Sequence, residues 1–202
     1  MEILVLLLMV TALGAWKLKS ENRTRRVALL DGFVGRYQLD RLMENLIEGY
    51  FKALEEKAPE RQTRLWRMLA LSEEQLCEQL RCLATDFSSV DEAEARVSKL
   101  PAFLPEAERF FPDNTFDMRR ALLVHAEGME RAAKNAQGRA PRDKAYTLTA
   151  ELLLLQHTCH WYCRSRAVAS ARVLARHKTP YQQLLTSVDP ETRKAYLAVV
   201  GR

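Results

Sequence analysis

The sequence predicts an all-α protein in which a single N-terminal transmembrane helix precedes a multi-helix bundle with one long central helix. Apolar residues recur at three- and four-residue steps along most of the 202 residues, which is the period of amphipathic helices. No stretch shows a convincing strand alternation. The first apolar run, residues 3–16, carries no charge, whereas the chain as a whole is 48% apolar and 28% charged, as globular proteins are.

The uncharged run over residues 3–16 has three interpretations. As a helix it spans about 21 Å, which is short against a hydrocarbon core of about 30 Å. Trp16 and a snorkelling Lys17 suit the membrane interface and extend this reach, so we predict a membrane anchor over residues 1–19. The alternatives are a helix buried in a soluble bundle and a cleaved export signal, which Glu2 disfavours by placing a negative charge before the apolar core.

A basic cluster follows the uncharged run and predicts a juxtamembrane linker over residues 20–36. No Lys or Arg precedes the run, and five lie within the ten residues after it. By the positive-inside rule this asymmetry places the N-terminus outside and an α-helical domain over residues 37–202 in the cytoplasm. The cluster also predicts contact with an anionic membrane surface. Its members are Lys17, Lys19, Arg23, Arg25 and Arg26.

Several helices are predicted after this linker. The clearest apolar stripe covers residues 38–57, and Pro59 ends it. Two shorter helices are expected next, one over residues 61–71 and one opened by a capping box at Ser72. A further helix is expected over residues 91–99.

Three prolines lie close together in the middle of the chain. Pro101, Pro105 and Pro112 predict a run of turns. The helix that follows them carries a stripe at three- and four-residue spacing. Its members are Met118, Leu122, His125, Met129 and Ala132.

The longest element is expected over residues 142–178, which contain neither Gly nor Pro and would reach about 55 Å as one helix. Its middle is apolar around most of its circumference, which is typical of the central helix of a bundle. Asp189 and Pro190 then predict a small terminal helix, through a capping side chain followed by a proline at the first helical position.

The strongest candidate for chemistry is the segment HTCHWYC, residues 157–163. Its four metal-binding side chains are His157, Cys159, His160 and Cys163, and helical neighbours of this kind can share a metal ion. At 100° per residue, however, the two pairs do not all point one way, and no zinc-finger or HExxH spacing is present. A metal- or haem-binding redox or sensor domain is therefore an alternative function, and the plainer interpretation is that these side chains fill the core.

Charge is divided unevenly along the chain. Residues 152–188 carry bases and no acid, whereas residues 73–108 carry nine acids against three bases. The basic stretch predicts a site for an acidic partner at Arg164, Arg172 and Arg176, although the two segments could also neutralise each other within the fold. The net charge of +5 comes largely from residues 17–26, so we expect no nucleic-acid binding.

The predicted function follows from the predicted membrane anchor, because the sequence contains no recognised catalytic motif. The sequence has no P-loop, no GxGxxG, no GxSxG elbow and no kinase motif. This makes an enzyme less expected but does not exclude one. We predict a membrane-anchored, non-catalytic adaptor, assembly or regulatory subunit of a membrane-associated complex. It would contact the membrane through residues 3–16 and bind a protein partner, with no cofactor, and a homo-oligomer is compatible with the sequence. An exported helical protein with a cleaved signal is the third function considered.

Overall fold

A computed structural model describes residues 2–100 and 111–201, without the side chains of residues 2–8, 19 and 112. Within these ranges the chain is helical apart from two short strands and a 3-10 turn over Pro112–Asn114, so the all-α class is confirmed. The helices are α1 (Glu2–Arg36), α2 (Leu39–Glu55), α3 (Pro59–Phe87), α4 (Glu92–Ala95), α5 (Met118–Lys134), α6 (Pro141–Cys163), α7 (Arg166–His177), α8 (Tyr181–Ser187) and α9 (Pro190–Val200). The strands are β1 (Arg96–Ser98) and β2 (Thr115–Asp117).

The bundle is built around α6. Thirteen of its 23 residues are buried, and they cover most of its circumference, so the prediction of a central helix is confirmed. Helices α5, α7 and α8 pack directly on α6, while α3 packs on α5 and α2 packs on α3. The predicted stripe of α5 is also confirmed, since all five of its members are buried.

The prediction of one helix over residues 142–178 is wrong, because the chain turns between α6 and α7. Arg164 leaves the helical region with φ −139° and ψ −97°, and Ser165 is extended. The Ser165 hydroxyl oxygen accepts a hydrogen bond from the Val168 N–H and so caps α7. The turn lets α7 fold back on α6 and bury Ala169 and Val173.

The prediction of two helices between residues 61 and 87 is also wrong, because α3 is continuous. Ser72 does not cap a new helix; its hydroxyl lies 3.5 Å from the Met68 carbonyl within the helix. Buried side chains continue along one face of α3 from Leu69 to Phe87. Packing against the bundle therefore stabilises the helix on both sides of Ser72.

The helix predicted over residues 91–99 is reduced to the single turn of α4, and the expectation of no strand is wrong. Strand β1 pairs antiparallel with β2, so that Val97 lies opposite Phe116. Both of these side chains are buried, and Phe116 contacts Trp161 of α6 edge to face at 4.9 Å. The turns predicted at Pro101 and Pro105 lie outside the described residues.

The prediction of a single-pass membrane localisation is wrong, because no described helix has the properties of a membrane span. Along the parts of the chain that the structure describes, none combines the length and the apolar character needed to cross a bilayer. Helix α1 is 35 residues long, but its uncharged run ends at Lys17 after 14 residues, against about 20 required. The outside N-terminus and the cytoplasmic domain depended on this anchor. The division into residues 1–19, 20–36 and 37–202 stays a prediction, and α1 runs unbroken across its first boundary.

The two halves of α1 differ in what they contact. In the second half Leu30 is only 4% exposed, and Phe33 packs edge to face on Phe87 of α3 at 5.2 Å. In the first half every side chain from residue 9 to residue 18 is exposed, and we call these residues the projecting segment. Its large apolar side chains are 54–68% exposed: Met9, Val10, Leu13, Trp16 and Leu18.

Candidate functional site

An open groove of about 510 Å³ runs along α2, between the second half of α1 on one side and α6 with α7 on the other. We call it the α2 groove. Apolar stripes from four helices meet beneath it, because each helix turns its buried face toward the same centre. The floor is formed by Leu39, Met43, Leu80, Leu83, Leu122 and Leu155.

One edge of the groove is acidic. Asp40, Glu44 and Glu48 follow one another at four-residue steps and therefore lie on one face of α2. Asp31 of α1 adds a fourth carboxylate, and we call these four exposed residues the acidic rim. Glu48 pairs with Lys52 at 3.6 Å, but both side chains are largely exposed. This ion pair is therefore weak, and the Glu48 carboxylate stays open to a partner.

A second part of the lining is basic and comes from α6 and α7. Its members are His160, Arg176 and His177. Arg172 donates a hydrogen bond to Nδ1 of His160 at 3.2 Å, which requires an unprotonated nitrogen there. Burial lowers the pKa of His160, and the Arg172 charge lowers it further, so the ring is neutral at physiological pH.

Two thiols line the groove beside His160. Burial raises the pKa of Cys163 to about 11, and burial raises the pKa of Cys159 well above its ordinary value. Both groups are therefore protonated thiols near neutral pH, whereas a cysteine nucleophile requires a thiolate. They supply apolar lining to the groove rather than reactivity.

The four residues of the predicted metal site are not all brought together. Cys159, His160 and Cys163 line the groove, whereas the His157 ring points away and stacks on Tyr181 at 4.3 Å. Burial lowers the pKa of His157 to about 4, and its Nε2 forms a hydrogen bond with the Ser170 hydroxyl at 3.0 Å. Within residues 2–100 and 111–201, no group of three His, Cys, Asp or Glu side chains is placed to hold a metal ion.

The three arginines predicted to bind a partner lie in different places. Arg176 lines the groove, and Arg172 reaches it through His160. Arg164 lies at the turn after α6, outside the groove lining. Arg166, for which the sequence predicts no role, places its guanidinium 5.4 Å from the centre of the Trp161 ring and 5.0 Å from that of the Tyr181 ring.

The basic cluster of α1 is divided by its contacts. Arg25 pairs with Glu94 near α4, and Arg26 donates a hydrogen bond to the Arg96 carbonyl at 2.7 Å while stacking on the Tyr162 ring. Arg26 therefore holds α1 to the body of the bundle, and Arg25, whose side chain is 74% exposed, adds little. Lys17 and Arg23 are exposed, and Lys17 lies 3.9 Å from Glu21 on the same helix. The side chain of Lys19 lies outside the described part of the structure.

A buried polar cluster lies between α5, α6 and α9 and is not predicted by the sequence. Glu151 is 1% exposed, and its Oε1 accepts the N–H of Asp189 at 2.9 Å. Burial raises the pKa of this carboxyl to about 7. Gly128 makes room for Thr192 and for this carboxyl, since a Cβ at position 128 would lie 2.4 Å from the Thr192 hydroxyl oxygen and 3.0 Å from Oε2 of Glu151. The available signal was a single acid within the apolar run of α6.

A second part of this cluster is centred on His125. Its Nε2 lies 2.9 Å from the Thr158 hydroxyl, which lies 3.0 Å from the Tyr196 hydroxyl. Burial lowers the pKa of His125 to about 3, so the ring is neutral in the folded protein. All three side chains are almost fully buried, and the cluster therefore holds helices together rather than facing a ligand.

The α2 groove thus combines an apolar floor, two rims of opposite charge and protonated thiols, which suits it to binding rather than to nucleophilic chemistry. Among the predicted site residues, the groove gathers five, counting Arg172 through His160. Comparison with protein-family models, with curated proteins and with solved structures finds no match for this chain.

Proposed function

We propose that the protein is a non-catalytic adaptor or assembly subunit that holds a helical segment of a protein partner in the α2 groove. The observation that carries the proposal is the groove itself, which has about 510 Å³ of space above a floor of leucine and methionine side chains. Amphipathic helices bind such grooves through apolar anchors spaced three, four and seven residues apart.

The two rims define the chemistry of the partner helix. Carboxylates along α2 favour a helix with lysine or arginine on that edge, and Arg176 favours an acidic residue on the other edge. The apolar floor supplies most of the affinity, and the rim charges set orientation and association rate. Reversing the sign of a rim charge also places like charges against each other, which lowers the affinity.

A charge reversal on the rim tests the proposal without disturbing the core. In Glu44→Lys/Glu48→Lys, which we call the groove variant, both altered side chains are exposed, so we expect a stability cost of only about 0.5 kcal/mol. The matched control is Glu55→Lys/Glu60→Lys, which makes the same change in net charge at exposed positions outside the groove.

The measurement is cross-linked recovery of partners from the native cells, quantified by mass spectrometry. A partner recovered with the wild type and the control, and reduced about tenfold or more with the groove variant, would support the adaptor function. Equal recovery with all three chains would contradict it. Circular dichroism and thermal melting of each chain confirm that the variants are folded.

A further inference from the structure

The projecting segment carries an ordered apolar stripe. At 100° per residue, Met9, Val10, Leu13 and Trp16 fall within an arc of about 120° on the surface of α1, and Lys17 lies within the same arc. These four apolar side chains are 61–68% exposed. An apolar stripe of this width is the face that a helix normally buries, so the segment has the form of a helical ligand.

The same chain also contains a receptor for such a helix, but it lies out of reach within one molecule. Leu30 and Asp31 line the α2 groove, and they belong to the same continuous helix as Leu13. Leu13 precedes Asp31 by 18 residues, which is about 27 Å along the helix axis. The projecting segment therefore reaches a groove only on another molecule.

The stripe and the groove match in length. From Met9 to Lys17 the stripe extends about 12 Å, and from Leu39 to Glu48 the groove extends about 14 Å along α2. Two turns of the projecting helix would thus lie over the floor of the groove.

The charges are also complementary. Lys17 is the last residue of the stripe and Arg23 lies about 9 Å further along the helix, and both are exposed. The acidic rim presents four exposed carboxylates to the groove. A basic-edged apolar helix is the occupant that this rim favours over an acidic one.

We propose that the projecting segment of one copy of this chain binds in the α2 groove of a second copy, so that the protein self-associates by exchanging helices. This inference rests on the proposed function, because it names the helix that the groove receives. Reciprocal exchange closes a two-fold dimer, whereas one-way insertion would extend into a chain of molecules.

Complementation between two defective chains tests the exchange. The groove variant, Glu44→Lys/Glu48→Lys, keeps an intact projecting segment, and Leu13→Glu/Trp16→Glu, the stripe variant, keeps an intact groove. Each alone is expected to be monomeric by sedimentation velocity from about 1 to about 100 µM, where the wild type associates. An equimolar mixture of the two is expected to associate, because one intact stripe then meets one intact groove.

The control for the stripe variant is Met68→Glu/Leu71→Glu, which places the same charges at two side chains of α3 that are 65% exposed. This control should associate as the wild type does. Trp16 supplies a second measurement: its emission should shift to shorter wavelength as the wild type associates, and a Trp16→Phe variant should show no shift.

The outcomes separate this inference from the proposed function. Association of the groove variant alone, or a mixture that stays monomeric, would overturn the exchange. A wild type that is monomeric at about 100 µM would also overturn it. If such a monomer still loses its partner when the groove is altered, the adaptor function stands without the exchange. If the mixture associates while partner recovery is the same for all chains, the exchange stands and the adaptor function fails.

Discussion

Two regions of this molecule reverse the usual sorting of side chains between core and surface. The projecting segment exposes Leu13 and Trp16 to water, while the cluster between α5, α6 and α9 buries Glu151 and His125. Each of these two buried side chains has a hydrogen-bond partner within the chain at one of its polar atoms, since Glu151 accepts an Asp189 N–H and His125 bonds to Thr158. Among the described residues, no part of the bundle buries the apolar stripe, whose side chains are 61–68% exposed. The comparison indicates that the buried cluster serves the fold, whereas the exposed stripe is the surface that the proposed helix exchange would bury.

The largest expected effect comes from removing the buried charge with Glu151→Gln. Its carboxyl has a pKa raised by burial from 4.5 to about 7, so it contributes stability below pH 4.5 that is lost as the pH rises through 7. The glutamine variant never ionises, and at pH 8 it should be more stable than the wild type by about 3 kcal/mol. At pH 5 this advantage should fall below about 1 kcal/mol.

Urea unfolding at a series of pH values measures this difference. Glu55→Gln is the control, because Glu55 is exposed and its substitution should shift stability by less than about 0.5 kcal/mol at every pH. A Glu151→Gln advantage that does not grow with pH would show that the buried carboxyl is not the source.

A smaller effect of opposite sign is expected for His125→Phe. Burial lowers the pKa of His125 from 6.5 to about 3, so its contribution to stability is present above pH 6.5 and is lost as the pH falls toward 3. Between pH 7 and pH 5 the wild type should lose about 2 kcal/mol through this ring, and the phenylalanine variant should not.

The quantity to compare is the change in unfolding free energy between pH 7 and pH 5, because the lost hydrogen bond to Thr158 shifts both values alike. His177→Gln, at a partly exposed position on α7, serves as the control and should leave the acid sensitivity of the wild type in place. An unchanged acid sensitivity in His125→Phe would contradict the prediction.

The smallest effect on folding is expected in the projecting segment. Leu13→Ala should change the unfolding free energy of the monomer by less than about 0.5 kcal/mol, because Leu13 is 65% exposed. Leu30→Ala on the same helix should cost about 3 kcal/mol, because Leu30 is 4% exposed and packs in the core. Chemical denaturation at low protein concentration compares the two, and a similar cost for both would mean that the segment is part of the core.

The elements that sequence predicted well are those whose apolar stripes are regular. Helix α2 shows this, since the buried residues Leu39, Met43, Leu46 and Tyr50 repeat at three- and four-residue steps. The break after Cys163 was missed because neither Gly nor Pro marks it. Its cause is a serine cap together with the stacking of Arg166 on rings of α6 and α8, and such contacts are not visible along the chain.

The groove was predictable only in part. The acids at positions 40, 44 and 48 are spaced regularly in the sequence, but the same spacing describes any solvated helix face. Their role as a rim depends on α1, α6 and α7 packing beside α2 and lining the same groove. Similarly, composition does not predict that Arg25 pairs with Glu94 or that Arg26 donates a hydrogen bond to the Arg96 carbonyl.

The sequence by itself determined the helical class, the stripes and the central place of the apolar helix α6, because helix formation follows from the spacing of neighbours a few residues apart. Only the tertiary structure decided where the chain folds back after Cys163, which arginines bind the bundle and which acids border a groove. These depend on contacts between residues far apart in the chain, such as Arg26 with Arg96 and Glu151 with Asp189. Contacts of that kind form only when helices pack, so local periodicity does not encode them.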